Sequence, residues 1–212
     1  MERRPPVRGS YLAAAEIALA LLQSAELEER WEQESALRGW PCGLLAGHLA
    51  RSILQVEWFL DGARPPHATI DAVSYYAALT GSTDPKSDLN EGVRARSQET
   101  ANLGRAAMAA ATEHALRALQ ERIPAEPAAR TLESFGRPML LDEYLVTRIV
   151  ELSIHVDDLA LSLALPRRVP PAALDIATAT LFDAARKRHD SLDVLRALTR
   201  TERDPQNVLR VF

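Results

Sequence analysis

Arg148, Glu151, His155 and Asp158 stand at steps of three, four and three along the chain, in the run Leu140–Leu165. On an α-helix these intervals put all four side chains in one column about 15 Å long. A carboxylate and an imidazole one turn apart can hold a divalent cation, and equally can form an ion pair. The spacing alone does not choose between them. With five histidines and 29 acids in 212 residues, roughly 1.4 acid–histidine pairs at an interval of four are expected by chance. Three occur: Glu151/His155, His67/Asp71 and His189/Asp193. The last two sit beside loops or helix ends, where solvated pairs are expected. Glu151/His155 differs because it lies within the most apolar turns of the chain.

A third ligand of the right type is His48, among small and apolar residues in Gly39–Leu60. It reads either as a core histidine or as a ligand from a helix facing Glu151 and His155. In the second case two imidazoles and one carboxylate, with a fourth position open, make the donor set of a mononuclear catalytic Zn²⁺ or related divalent site. A di-iron bundle site needs more glutamates and a second Glu/His pair, which the sequence does not offer. The lone Cys42 excludes an internal disulfide and a multi-cysteine zinc site. It is six residues from His48, a poor interval for a shared ion on a helical face, and reads as structural.

The elements that must position these groups are helical. Ser10 is placed to cap a helix over about 11–31, and Pro41 opens a second that runs to Asp61. The prolines of 63–68 make a loop, a short helix covers about 70–80, and 81–90 reads as a linker. One long helix spans about 91–122, and the Phe135–Pro138 segment is a break. Leu140–Leu165 forms the strongest helix, with Leu141, Leu145, Ile149, Leu152, Val156, Leu159 and Leu163 toward the core. Helices over about 170–188 and 190–200 follow. Trp40 and Trp58 are expected to pack the bundle. Arg94 and Arg96 open the 91–122 helix, where they read as a solvated helix end or as contacts for an anionic substrate or thiol.

The composition agrees: 47% hydrophobic and 25% charged residues, with nine glycines, describe a globular and mostly helical chain. A net charge of −4 gives no footprint for nucleic acid or an anionic membrane. No run reaches the ~18 apolar residues of a membrane span. Glu16 interrupts the apolar stretch that follows Arg3–Arg4 and Pro5–Pro6, so residues 11–30 read as the first helix of the fold rather than as a signal. The expectation is a single all-α domain over 1–212: a four-helix bundle core at about 11–165 with additional short C-terminal helices at about 170–200. A cytoplasmic setting fits the single cysteine, and apolar bundle faces make a homodimer plausible.

Gly39-Trp40, then Leu45-x-x-His48-Leu49, then Glu151-x-x-x-His155-x-x-Asp158 together resemble the mycothiol-dependent maleylpyruvate isomerase N-terminal family, within the DinB-like bundle group. The run Tyr144–Leu159 and the tail Ala185–Arg200 look similar to actinobacterial members. The resemblance implies a DinB-like four-helix bundle in which His48, Glu151 and His155 bind a divalent metal, usually zinc. It also implies mycothiol as a thiol cosubstrate and a small electrophile as its partner. Asp158 and Arg148 then either orient His155 and neutralise Glu151 or are surface charges on the helix flank. The isomerase carries a separate C-terminal domain that contributes to its active site. Only about fifty residues follow Leu165, so a thiol transferase is the expected activity ahead of isomerisation. The competing expectations are a non-catalytic metal-binding or stress-associated domain, and a structural ion-pair column.

Overall fold

Pro6 precedes the first helix, α1 (Val7–Leu22), whose alanine-rich inner face is buried. The helix starts upstream of the expected Ser10 cap, because Arg8 in its first turn is anchored from outside. Its Nε donates to Asp142 at 2.7 Å, and one guanidinium nitrogen donates to the Ile123 carbonyl at 2.8 Å. The helix also ends early. Ser24 breaks the expected 11–31 element and caps a short α2 (Ala25–Glu29), its hydroxyl accepting from Leu27 N. Cys42 begins α3 (Cys42–Asp61), directly after Pro41 as expected. Asp71 caps α4 (Ala72–Ala77) by accepting from Ser74 N at 2.6 Å, which accounts for the acid of the His67/Asp71 pair.

The expected helix over 91–122 is two helices, α5 (Asp88–Ala101) and α6 (Arg105–Ala125). Gly104 divides them with φ +78°, a conformation that side chains with a Cβ resist. The expected linker is correspondingly shorter, since Ser87 already caps α5. The segment before the last bundle helix is a hairpin of β1 (Thr131–Ser134) and β2 (Arg137–Leu140), with Ser134 opposite Arg137. Phe135 and Gly136 both take positive φ, 50° and 74°. That pair of angles makes the tight turn that matches strand twist. The hairpin leads into α7 (Leu141–Ser162), and α8 (Pro171–Arg188) and α9 (Ser191–Thr199) follow.

The description covers residues 6–79, 86–166, 168–200, 202 and 208–211 of a computed structural model. Expectations involving Arg3, Arg4, Pro5, Thr80 and residues 81–85 lie outside these. Among the described residues the fold is all-α apart from the hairpin. Helices α1 and α3 each pack against both α6 and α7, closing a four-helix bundle, and also meet each other. The seven apolar α7 residues expected in the core are all buried there. Outside the bundle α5 lies along α3, while α8 lies along α7 and α4. No helix of the described residues is long and apolar enough to cross a membrane.

The α3–α5 contact is unusually close because position 47 is glycine. A Cβ there would fall on the Ser97 carbonyl oxygen and lie 3.0 Å from Ala101 N. Gly47→Ala is therefore expected to push α5 outward and cost about 1–3 kcal/mol, the range for overpacking a well-fitted core. Urea unfolding monitored by far-UV circular dichroism measures the loss; an unchanged midpoint would show that the helices can part freely.

Candidate metal centre

Three side chains on two bundle helices converge between α3, α5 and α7. Glu151 Oε2 lies 3.2 Å from His48 Nε2 and 3.5 Å from His155 Nε2. The rings of His48 and His155 meet edge to face, with centroids 4.6 Å apart. One ligand atom from each of the three residues can be chosen so that all lie within 4.8 Å of one another, and no other such trio occurs among the described residues. Tetrahedral zinc bonds of 2.0–2.1 Å hold neighbouring ligand atoms about 3.3 Å apart. The two carboxylate–imidazole separations bracket that figure.

The outer contacts of each ring set its tautomer. Ser97 on α5 donates its hydroxyl proton to the Val93 carbonyl at 2.8 Å, so it accepts from His48 Nδ1 at 3.2 Å. Asp158, an acceptor, receives His155 Nδ1–H at 3.1 Å. Each Nε2 then faces the same carboxylate oxygen, as a protonated donor to it or, once deprotonated, as a lone pair open to a cation. Three acceptors pointed at one place need a cation or added protons, and this donor set fits a divalent metal. Tyr76, fully buried on α4, donates toward the other Glu151 oxygen at 3.2 Å and toward the Thr147 carbonyl at 3.0 Å.

The electrostatics follow from burial and these contacts. Burial opposes ionisation of Glu151, but hydrogen bonds from His155 and His48 and the Arg148 charge outweigh it and hold the carboxyl well below its usual range. Burial pulls His48 below the ordinary imidazole value against the Glu151 hydrogen bond. For His155 burial again acts downward, yet the hydrogen bonds with Asp158 and Glu151 win and raise it to about 9. The single thiol is remote from this chemistry: Cys42 is fully buried, and burial pushes its pKa up.

Arg148 is buried on α7 over the Tyr144 ring, donating to Gln55 Oε1 and Thr147 Oγ1 at 3.3 and 3.2 Å. It is no flank charge, and neither is Asp158. The arginines of α5 part company. Arg94 donates to the Gly39 carbonyl at 2.6 Å and lies over Trp40, while Arg96 lines a cleft beside the cluster. Both stand within α5 rather than at its start, because the helix begins at Asp88. The tryptophans depart from the expected bundle packing. Trp58 is 46% exposed beneath Arg51, and Trp40 stands edge-on to His48 at the cleft.

That cleft has two lobes meeting at His48 and Glu151. One, of about 260 Å³, is bounded by α3, α5, α7 and the hairpin. The other, of about 180 Å³, is more apolar, with Leu37, Trp40, Leu89 and Val93 around His155. An open space thus reaches the side of the cluster away from Asp158. Ser97, Tyr76, Gln55 and the hairpin residues were not identifiable from sequence. Their side chains are common types on weakly patterned segments, and only the tertiary packing brings them to the site.

No curated protein and no solved structure matches the chain. The family description of the mycothiol maleylpyruvate isomerase N-terminal domain matches residues 11–160, a span that holds the bundle and all three converging side chains. The chain belongs to the mycothiol maleylpyruvate isomerase N-terminal domain family.

Proposed function

We propose that this protein is a metal-dependent thiol transferase, with His48, Glu151 and His155 holding one divalent ion, zinc by the character of the donors, and mycothiol as the thiol. The convergence of two imidazole Nε2 atoms on one carboxylate oxygen carries this reading. A thiol bound to Zn²⁺ is deprotonated at neutral pH, which supplies the nucleophile. The protein's own residues prepare that step. Ser97 and Asp158 accept at the two Nδ1 atoms and so aim both Nε2 atoms inward, where a metal would displace the proton, as outer partners of ligating histidines do. Tyr76 fixes the Glu151 rotamer. Arg148 offsets part of the buried negative charge from one turn away. The apolar lobe limits water near the cluster and leaves room for an electrophile. With no reactive cysteine beside the cluster, sulfur comes from the cosubstrate. The family name supports mycothiol, and the two-lobed cleft favours a small-molecule partner over a macromolecule.

Metal analysis of protein purified without a histidine tag should find about one zinc per chain, with the content collapsing in His48→Ala and His155→Ala. An ion-pair column would give metal-free wild type that takes up no Zn²⁺ on titration. Asp158→Asn should keep the fold and weaken zinc about 10–100-fold, the usual effect of removing an outer hydrogen-bond partner. Competition with a chromogenic chelator measures this; unaltered affinity would remove Asp158 from the site.

The catalytic half is tested with mycothiol and a panel of electrophiles, following adduct formation by mass spectrometry. Wild-type protein should form an adduct above background, and His155→Ala should not. A metal-loaded protein with no adduct for any electrophile would leave a binding domain in place of an enzyme.

A further inference from the structure

The larger lobe of the cleft is built around four arginines brought from four elements: Arg51 on α3, Arg96 on α5, Arg137 on β2 and Arg148 on α7. Each guanidinium lies over an aromatic ring at 5.1–5.3 Å: Trp58, Phe135, Tyr75 and Tyr144 respectively. Such stacking fixes a guanidinium plane while leaving its N–H edge free for hydrogen bonds.

None of the four pairs with a carboxylate among the described residues. Arg51 donates only to the Arg96 carbonyl and Thr100 Oγ1, at 3.4 and 3.3 Å. Arg148 has the Gln55 and Thr147 contacts, and among the described residues no side-chain or backbone oxygen accepts from the Arg96 or Arg137 guanidinium. Among the described residues the only acid lining the lobe is Glu151, whose oxygens already face two histidines and Tyr76. Burial, and then the Arg96 charge, lower the Arg51 pKa against the smaller opposing effect of Glu99.

This arrangement is not forced by composition. The chain has 29 acids against 25 lysines and arginines, and elsewhere arginines find partners: Arg8 with Asp142, Arg105 with Glu28, Arg122 with Asp61. Concentrating four guanidiniums around one small cavity, where Glu151 beside Arg148 is the one carboxylate among the described lining residues, is costly through mutual repulsion, least at exposed Arg137. An anion in the cavity removes that cost, and guanidinium edges are suited to a carboxylate or phosphate.

We propose that this lobe is a subsite for an oxyanion group, carboxylate or phosphate, carried by the electrophilic substrate. Arg96 and Arg137 are its principal donors, and Arg51 and Arg148 are its fixed charges. The assignment rests on the thiol-transfer reading for the word substrate, and names the class of molecule: a small organic anion. With its anionic end among the arginines, the rest of the molecule extends over His48 and Glu151 toward the apolar lobe.

The test titrates succinate, inorganic phosphate and neutral succinamide into the protein, before and after metal removal by chelator, and reads binding by calorimetry. At least one of the two anions is expected to saturate where succinamide does not. Arg96→Gln and Arg137→Gln should each weaken it about tenfold, the scale of one lost charge-assisted hydrogen bond. Arg117→Gln, at an exposed pair with Glu113, should leave binding unchanged. The preferred anion tells a carboxylate substrate from a phosphorylated one. The proposal is overturned if neither anion outbinds succinamide, or if the folded double variant of Arg96 and Arg137 binds as wild type. Anion binding by a protein that never takes up zinc would sink the thiol-transfer reading alone; zinc uptake without anion binding would sink the subsite alone.

Discussion

A negative charge inside a helical bundle is the constraint around which this molecule is arranged. Glu151 sits among the buried apolar turns of α7, and an unpaired carboxylate there would cost several kcal/mol. Two imidazoles, a tyrosine hydroxyl and a neighbouring guanidinium meet it instead, from α3, α7 and α4. Protonated on both nitrogens, His155 donates to Asp158 and Glu151 together, which is why its pKa rises to about 9. Because Ser97 and Asp158 accept at the Nδ1 atoms, the Nε2 positions are where protons and a cation would compete for the same carboxylate oxygen.

The helices outside the bundle matter because they hold these contacts in place. Ser97 reaches His48 only because Gly47 lets the α5 backbone lie against α3. The hairpin turn is short enough to place Phe135 against Phe59, ring centroids 5.3 Å apart, and to carry Arg137 to the cleft from the next residue but one. Tyr76 comes from a six-residue helix whose register is fixed by its Asp71 cap. Small local features, a glycine, a two-residue turn and a cap, thus decide how the larger elements present their side chains.

These same features explain what could be read in the sequence and what could not. The α7 stripe was legible because apolar residues at helical spacing determine which face is buried, and Arg148, Glu151, His155 and Asp158 then follow by rotation about the axis. The facing position of His48 was legible only with the help of family resemblance, since a histidine among leucines has no intrinsic partner. The break at Gly104 was hidden by the alanine-rich turns that follow it, whose high helix propensity masks one residue with positive φ. The hairpin was hidden more deeply. Its strands have four residues each, one contains Pro138, and Phe-Gly is not among the strong turn signals. Arg94 and Arg96 looked alike because an interval of two gives no hint that one turns to Trp40 and the other to the cleft.

Placement of the charges also separates two jobs. The three converging ligand candidates lie on α3 and α7, bundle helices whose backbones are locked by the core, while Ser97 and Tyr76 orient two of their side chains from outside it. Two of the four cleft arginines, Arg96 and Arg137, stand on elements outside the bundle, held by the Gly47 contact and a short turn. Substitutions at Arg96 or Arg137 change the cleft wall at positions that make no contact with His48, Glu151 or His155, whereas Ser97 on the same α5 touches His48 and Arg148 neighbours Glu151. A metal-ready centre on the rigid bundle and an anion-ready wall partly on its appendages are what a scaffold needs to keep one chemistry while exchanging substrates.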